Sequence, residues 1–268
     1  MGAAALAVDA CLLELGGVGK HFQANGRNAE VISQVDLRVS RGEFVSLIGP
    51  SGSGKSTILN LLAGLEKPTR GHVRYAGRDV GGVNRSVAYL TQHDSLLPWR
   101  TVEDNTALPL EVRGVLRSER TRAVRDILNK VGLGGYEHHY PRQLSGGMQK
   151  RAMLARTLID EPETILMDEP FGPLDAQLRM VLQAELMRLW SGSGKTIVFV
   201  THDIVEAITL SDRVVVLSKQ PTQVKHVEEI AIARPRDVRD VRFAPSFEAH
   251  YKALWDAIAI FGATEPAL

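Results

Sequence analysis

Residues 43–65 read EFVSLIGPSGSGKSTILNLLAGL, and they set the expected fold. The short β-rich run 43–48 predicts a strand, and the apolar run 58–65 predicts a helix. Between them, the segment 49–57 fits the pattern G-x-x-x-x-G-K-[ST], in which backbone N–H groups and a helix N-terminus surround phosphates. We therefore predict a phosphate-binding loop, with the following residues in contact with a nucleotide: Gly49, Pro50, Ser51, Gly52, Ser53, Gly54, Lys55, Ser56 and Thr57. Lys55 is expected to reach the β- and γ-phosphates, and the Ser56 hydroxyl to ligate Mg²⁺.

The pentapeptide SGSGK occurs a second time, at 191–195, in a different setting. The pattern would need glycine at position 189, which is Leu189. Residues 176–190 carry leucines at helical spacing, and TIVFV at 196–200 is typical of a strand. The second copy is thus predicted to be a turn between a helix and a strand, where glycines are common. We expect Lys195 to be dispensable.

The bulk composition limits the classes of protein that fit. The chain has 268 residues, a net charge of +1 and one cysteine, Cys11. This length allows one or two domains, and the single cysteine excludes an internal disulfide framework. The small net charge gives no strong field for nucleic acid, so no nucleic-acid partner is expected. Residues 1–10 make a poor secretory signal, and no apolar run approaches the roughly 20 residues of a membrane span. Any membrane role is therefore expected to come through a partner.

Two adjacent carboxylates follow a predicted buried strand. The segment TILMDEP occupies 164–170. Asp168 suits the role of holding Mg²⁺ through its water shell. Glu169 is expected to face the other way at the strand end and to polarise an attacking water. An ordinary acidic strand end is the alternative interpretation.

A second candidate anion site lies at 144–151, which read LSGGMQKR and open a predicted helix. Ser145 is a natural N-cap. Gly146 and Gly147 are expected to present backbone N–H groups at the positive end of the helix dipole.

The order of these segments resembles that of the ABC ATPases, whose signature motif LSGGQ precedes an Asp-Glu strand by about twenty residues. Met148 replaces the glutamine of that motif and leaves Ser145 and both glycines in place. The resemblance covers about residues 12–217. It implies an ATPase that binds ATP and Mg²⁺.

Four further positions extend the resemblance. Gln92 in YLTQHD matches the family's Q-loop glutamine, a Mg²⁺ contact, and His202 in VFVTHD matches the switch histidine at the γ-phosphate. Asp175 ends PFGPLD, which is similar to the D-loop, although Pro173 replaces the alanine of many members. Phe22 in GKHF matches an aromatic residue that stacks on adenine, with a plain core role as the alternative. The implied catalytic residues are Lys55, Gln92, Glu169 and His202.

The resemblance also implies an α/β fold of the ABC P-loop NTPase type. A mainly parallel sheet is expected around the phosphate loop, with an antiparallel β subdomain before it. We interpret residues 1–268 as a single domain with a helical insertion at about 93–143 and a short C-terminal extension at about 219–268. Residues 23–30 are expected to be a hairpin-like loop. The sequence RPRDVRD at 234–240 resembles the tail of the nitrate, sulfonate and taurine importers within this family. Without that resemblance, its alternating Arg and Asp would be interpreted as a solvated, self-paired face.

Such cassettes work as pairs, in which the phosphate loop of one chain and the SGG helix of the other enclose ATP. The resemblance thus implies a homodimer or a paired ATPase subunit. The chain is too short between Ser56 and Ser145 for the long coiled coil of repair ATPases, and it carries no membrane domain. This leaves a cassette that serves membrane permease subunits at the cytoplasmic face of the cell membrane, with an extracytoplasmic solute-binding protein reached indirectly. A soluble ABC ATPase without a membrane partner is the alternative.

The segment LLPWRTVEDN at 96–105 is similar to the nitrate, sulfonate and taurine importers, where Trp follows Pro. Leu96, Leu97 and Trp99 are large apolar residues in a loop bordered by charges, among them Asp94. They either fold back onto the core of the helical insertion or form a groove for a short permease helix.

Overall fold

In the computed structural model of the chain, residues 11–24, 27–92, 96–172 and 174–259 are described. The strands are β1 Cys11–Ala24, β2 Arg27–Ser40, β3 Phe44–Ile48, β4 Arg70–Tyr75, β5 Arg78–Asp79, β6 Val87–Leu90, β7 Thr164–Asp168, β8 Thr196–Val200, β9 Arg213–Leu217 and β10 Thr222–Glu229. The α-helices are α1 Lys55–Leu62, α2 Val102–Val112, α3 Arg117–Lys130, α4 Gly146–Leu158, α5 Ala176–Trp190, α6 Ile204–Leu210 and α7 Phe247–Ala259. Short 3₁₀ helices occupy Pro141–Gln143 and Val241–Phe243. Pro173 of the D-loop-like segment and Asp94 of the apolar loop lie outside the described residues.

The described strands form one mixed sheet in the order β5-β4-β1-β2-β10-β9-β3-β8-β7-β6. Strands β9, β3, β8, β7 and β6 run parallel to one another. Strands β5, β4, β1 and β2 pair antiparallel at the other end of the sheet. The predicted fold class, with a mainly parallel core and an antiparallel β subdomain, is confirmed. The boundaries proposed for the domain, its insertion and its extension stay predictions.

Strand β3 holds the phosphate loop at the centre of the parallel part. All five of its residues are buried, as expected for a strand covered on both faces. It lies between β8 and β9, and α1 follows the loop. The helix occupies Lys55–Leu62 and so begins before the predicted 58–65. Its first turn is polar, and an apolar pattern cannot reveal such a turn.

The hairpin between β1 and β2 is tighter than predicted. Residues 23–30 were expected to form a loop, but Gln23 pairs with Asn28 and Phe22 pairs with Ala29 in the antiparallel ladder. That prediction is therefore wrong for most of the segment. The main-chain hydrogen bonds of two long strands outweigh the weak β propensity of their polar ends.

The second SGSGK segment joins α5 to β8, as predicted. Helix α5 ends at Trp190 and β8 begins at Thr196. The indole N–H of Trp190 donates to the carbonyl of Lys195 at 2.6 Å. The Lys195 ammonium donates to the carbonyl of Pro162 at 3.2 Å.

Two apolar side chains of the loop at 96–99 differ in their burial. Leu96 is buried in the core that α2, α3 and α4 share, whereas Trp99 is 72% exposed. Leu96 thus folds onto the core of the helical insertion, as the first interpretation predicts, and the permease groove stays a prediction. Among the helices of the described residues, none combines the length and the hydrophobicity needed to span a bilayer.

The segment 234–240 is not a solvated, self-paired face. Arg236 is buried and donates to the carbonyls of Ile208, Ser211 and Ile230, at the end of α6 and after β10. Burial lowers the pKa of Arg236 to about 10. The alternating charges of this segment predicted exposure, because they gave no sign that buried carbonyl groups elsewhere in the chain need a hydrogen-bond donor.

Candidate functional site: a phosphate loop facing two carboxylates

Thr222, the first residue of strand β10, contacts the phosphate loop. The Thr222 hydroxyl lies 2.7 Å from the carbonyl oxygen of Ser53 and 2.8 Å from that of Val31. Gly54 has a φ of 76°, and a Cβ at that position would lie 2.8 Å from the Thr222 hydroxyl oxygen. Only glycine therefore combines this backbone conformation with this close approach. Nothing near the loop in the sequence pointed to Thr222.

Lys55 lies inside the loop that precedes it. Its ammonium donates to the carbonyls of Gly49 and Pro50, both at 2.9 Å, and to the Ser53 hydroxyl at 3.3 Å. Burial lowers the pKa of Lys55, and the nearby charges of Glu169 and Asp168 oppose that change. The charges of both carboxylates thus act on the lysine.

Asp168 is the last residue of β7 and is buried. Tyr89 of the neighbouring strand β6 donates a hydrogen bond to it. The pKa of Tyr89 is raised, first by burial and then by the charge of Asp168. Tyr89 therefore helps to orient the carboxylate, and sequence reasoning missed it.

Glu169 leaves the strand in a left-handed conformation, with a φ of 45°. Its backbone N–H donates to the carbonyl of Val200 at 3.0 Å, which ties the turn to β8. The direction of its side chain comes from this turn, and not from the alternation of a continuing strand. A non-glycine residue in this region costs of order 1–3 kcal/mol, and such residues cluster at functional sites.

Three predicted side chains converge at the Glu169 carboxylate. The Gln92 amide nitrogen and the His202 Nδ1 each lie 3.3 Å from the Oε2 atom of Glu169. His202 is 64% exposed, so this face of the site is open to solvent. We call Gln92, Glu169 and His202 the Glu169 cluster.

The SGG helix contacts this cluster through Lys150. Lys150 of α4 is buried, and its ammonium donates to the carbonyl oxygen of Gln92 at 3.3 Å. The two residues are 58 positions apart in the sequence. No local pattern joins them, so the contact was not predicted.

The two glycines of the SGG segment differ in their surroundings. Ser145 caps α4 by accepting from the N–H of Met148 at 3.3 Å. Gly146 is exposed, whereas Gly147 is buried against Leu178 of α5, where a Cβ would overlap the leucine side chain. Gly147 therefore has a packing reason for its identity in addition to the predicted exposure of its N–H.

Asp175 and Phe22 occupy other elements. The Asp175 carboxylate accepts from the N–H of Leu178 at 2.9 Å and caps α5. Phe22 lies on β1, half buried, with the ammonium of Lys20 4.7 Å from the centre of its ring. The Lys20 ammonium thus covers one face of the Phe22 ring. Phe22 is only half buried, so it is not a core residue.

Comparisons with known proteins agree with this arrangement. Residues 32–172 match the family described as ABC transporter. An uncharacterised ABC transporter ATP-binding protein of Methanocaldococcus jannaschii is 44% identical over 86% of this chain and 86% of its own. An aliphatic sulfonates import ATP-binding protein of Rhodococcus jostii is 43% identical over 87% of this chain and 89% of its own. A nitrate import ATP-binding protein of Synechocystis is 44% identical over 81% of this chain, which spans 33% of that protein.

A solved structure supports the same fold. It is the dimeric post-hydrolysis state of an ATP-binding cassette bound to ADP and Pi. The TM-score is 0.73 at 32% identity, over 83% of this chain and 100% of the other.

Proposed function

The chain belongs to the ABC transporter family as an ATP-binding subunit and is an ATPase, and we propose that it hydrolyses Mg-ATP to drive a membrane permease that imports a small anion or a small organic solute. Relatives named for sulfonate and nitrate import support this solute class. The permease and its solute-binding protein select the solute, so the residues of the ATPase leave its identity open.

The observation that carries the proposal is the position of Glu169. Its carboxylate lies at the end of β7 with Gln92 and His202 both at 3.3 Å, and its charge acts on Lys55 of the phosphate loop. This places the proposed general base, its hydrogen-bonding neighbours and the proposed phosphate-binding lysine at the carboxyl ends of neighbouring parallel strands.

In the proposed reaction, a water oxygen attacks the γ-phosphorus of ATP, and the bond from this phosphorus to the bridging oxygen of ADP breaks. Glu169 accepts a proton from the attacking water. The Lys55 ammonium stabilises negative charge on the β- and γ-phosphates, and His202 contacts the γ-phosphate. Gln92 orients the Glu169 carboxylate toward the attacking water through its hydrogen bond to that carboxylate.

The available donors fit Mg²⁺. Mg²⁺ in nucleotide sites takes one or two carboxylates and fills its other positions with phosphate oxygens and water. The Asp168 carboxylate at the end of strand β7 and the Ser56 hydroxyl in the first turn of α1 are oxygen donors of the kind that such a site uses. We propose Ser56, Gln92 and Asp168 as the protein side of this site. The ion would neutralise part of the phosphate charge when bound.

We further propose that two such subunits, identical or paired with another ATPase, enclose ATP between them. The exposed start of α4 at Ser145 and Gly146 would then meet the phosphates held by the partner's loop. The proposed nucleotide contacts are Phe22, residues 49–57, Gln92, Ser145, Gly146, Gly147 and Asp175. We propose that exposed Trp99 contacts the permease and that the subunit lies peripherally at the cytoplasmic face of the membrane.

Replacement of the general base tests the proposed reaction. Glu169→Gln keeps the shape and removes the charge, so Mg-ATP affinity is expected to stay near parental while turnover falls about a hundredfold or more. Glu161→Gln is a matched control, because Glu161 precedes β7 with the same left-handed backbone at a φ of 48° and an exposed side chain. Parental turnover in Glu169→Gln would exclude Glu169 as the base.

Purification from membranes tests the proposed partners. A tagged chain is expected to bring down permease subunits in detergent, and ATP hydrolysis in the complex should rise when a loaded solute-binding protein is added. If an active ATPase is recovered without permease subunits, the alternative of a soluble ABC ATPase is favoured.

A further inference from the structure

Arg179, near the start of α5, contacts both the segment before Asp175 and the start of α6. Its Nη2 donates to the carbonyl of Leu174 at 3.0 Å, in the segment that leads into Asp175. Its Nη1 donates to the Asp203 carboxylate at 3.3 Å. Its Nε lies 3.7 Å from the Glu206 carboxylate. The planar guanidinium can hold such a fixed arrangement, which an ammonium cannot reproduce.

The two carboxylates that Arg179 contacts organise the start of α6. The second oxygen of Asp203 accepts from the N–H groups of Val205 at 2.8 Å and Glu206 at 3.2 Å, which caps the helix. Glu206 is buried and accepts from the Gln183 amide at 2.9 Å. Its other oxygen accepts from the Thr201 hydroxyl at 2.6 Å. Helix α5 therefore holds α6 through Arg179 and Gln183 together.

The residues on both sides of His202 belong to this network. Thr201 precedes it and binds Glu206, while Asp203 follows it, donates its N–H to the Thr201 hydroxyl at 3.0 Å and binds Arg179. The exposed His202 side chain is turned toward Glu169. Both flanking residues are thus tied to α5.

We propose that Arg179 is a positioning residue that keeps His202 at the Glu169 carboxylate and links its place to the segment before Asp175. The proposal rests on the proposed ATPase chemistry and adds a residue to it. If the segment at Leu174 moved, the Arg179 guanidinium would move with it and would shift Asp203 and the neighbouring His202.

Charge supports the same conclusion. Burial raises the pKa of Glu206, and the charge of Asp203 raises it further, while Arg179 opposes both. Without the cation, the two carboxylates repel each other at the start of α6. The turn that carries His202 would then relax away from its present position.

The test compares Arg179→Met with Arg188→Met. Arg188 lies on the same helix, is 60% exposed and pairs with Glu185 at 2.6 Å, so it controls for loss of a helical ion pair. We expect Arg179→Met to lower kcat about tenfold, with KM for ATP and the affinity for a fluorescent ATP analogue within about twofold of parental. Arg188→Met is expected to keep the parental kcat. Arg179→Lys should recover part of the loss, because it restores the charge but not the planar fork.

A double variant distinguishes positioning from a general structural role. If Arg179 acts through His202, Arg179→Met adds little to the loss already caused by His202→Ala. Losses that multiply, or a fall in nucleotide affinity as large as the fall in kcat, would overturn the proposal. Should Arg179→Met fail to fold, Asp203→Asn keeps the helix cap, weakens the Arg179 contact and takes its place in the same cycle. A failure of the proposed function itself would appear differently, as a parental chain without ATPase activity.

Discussion

The two SGSGK segments have the same sequence, and their glycines share the left-handed backbone region. In the first, Gly52 and Gly54 have φ values of 74° and 76°. In the second, Gly192 and Gly194 have φ values of 72° and 68°. Five identical residues thus place their glycines in the same left-handed region at two distant positions.

The two segments differ in the elements that flank them and in the contacts of their central serine. Ser53 is buried and accepts from Lys55 inside a loop between a strand and a helix N-terminus. Ser193 is exposed and donates to the carbonyl of Trp190 at a helix C-terminus. Carbonyl groups point outward at that end of a helix and disfavour an anion. The same motif therefore places its glycines alike in both segments, while the flanking elements give only the first segment a setting that favours phosphate.

The strongest test of this comparison is Lys55→Ala. Loss of the ammonium that we propose to contact the β- and γ-phosphates is expected to lower ATP hydrolysis about a thousandfold. Steady-state release of phosphate from the purified protein measures the effect. Substantial activity in a folded Lys55→Ala variant would break the assignment of the first segment as the phosphate loop.

Alanine at equivalent glycines sharpens the comparison. Gly54→Ala places a methyl group against the Thr222 hydroxyl and strains the backbone, so we expect a loss of about 2–3 kcal/mol in the free energy of unfolding. At Gly194 a Cβ meets no atom of the described residues within 4 Å, so Gly194→Ala should cost about 1 kcal/mol from the backbone alone. Denaturant titration of both variants gives the difference. Equal losses would mean that Thr222 does not constrain the loop.

The smallest effect is expected from Lys195→Ala. The variant loses a hydrogen bond from a half-buried ammonium to the Pro162 carbonyl, and we expect a change within about 0.5 kcal/mol in the free energy of unfolding. ATP turnover should stay within about twofold of parental in the same phosphate-release assay. A loss of activity comparable to that of Lys55→Ala would show that the second segment also takes part in catalysis.

Sequence reasoning predicted the elements that local patterns encode. Strands β7 and β8, helix α5 and the cap at Ser145 lie where periodicity and capping residues indicated. The roles expected for Gln92 and His202 came from the family resemblance, because nothing in their local spacing joins them to Glu169.

The contacts that sequence reasoning missed are long-range. Lys150 reaches the Gln92 carbonyl, Arg236 satisfies carbonyls near the end of α6, and Gly147 packs on Leu178. Each depends on which surfaces meet after folding, and a linear pattern does not contain that information. The tight β1–β2 hairpin was missed for a related reason, since cross-strand pairing outweighed the turn-like composition of its residues.

The contact between Thr222 and the phosphate loop has a consequence for the synthesis of the protein. The Thr222 hydroxyl that holds the Ser53 carbonyl is encoded 169 residues after it. At about 5–20 residues per second, a ribosome needs roughly 10–30 s to cover that distance. A nascent chain therefore exposes the nucleotide-binding loop long before its supporting strand exists. The contact that supports this loop can form only after the last of the described strands has left the ribosome.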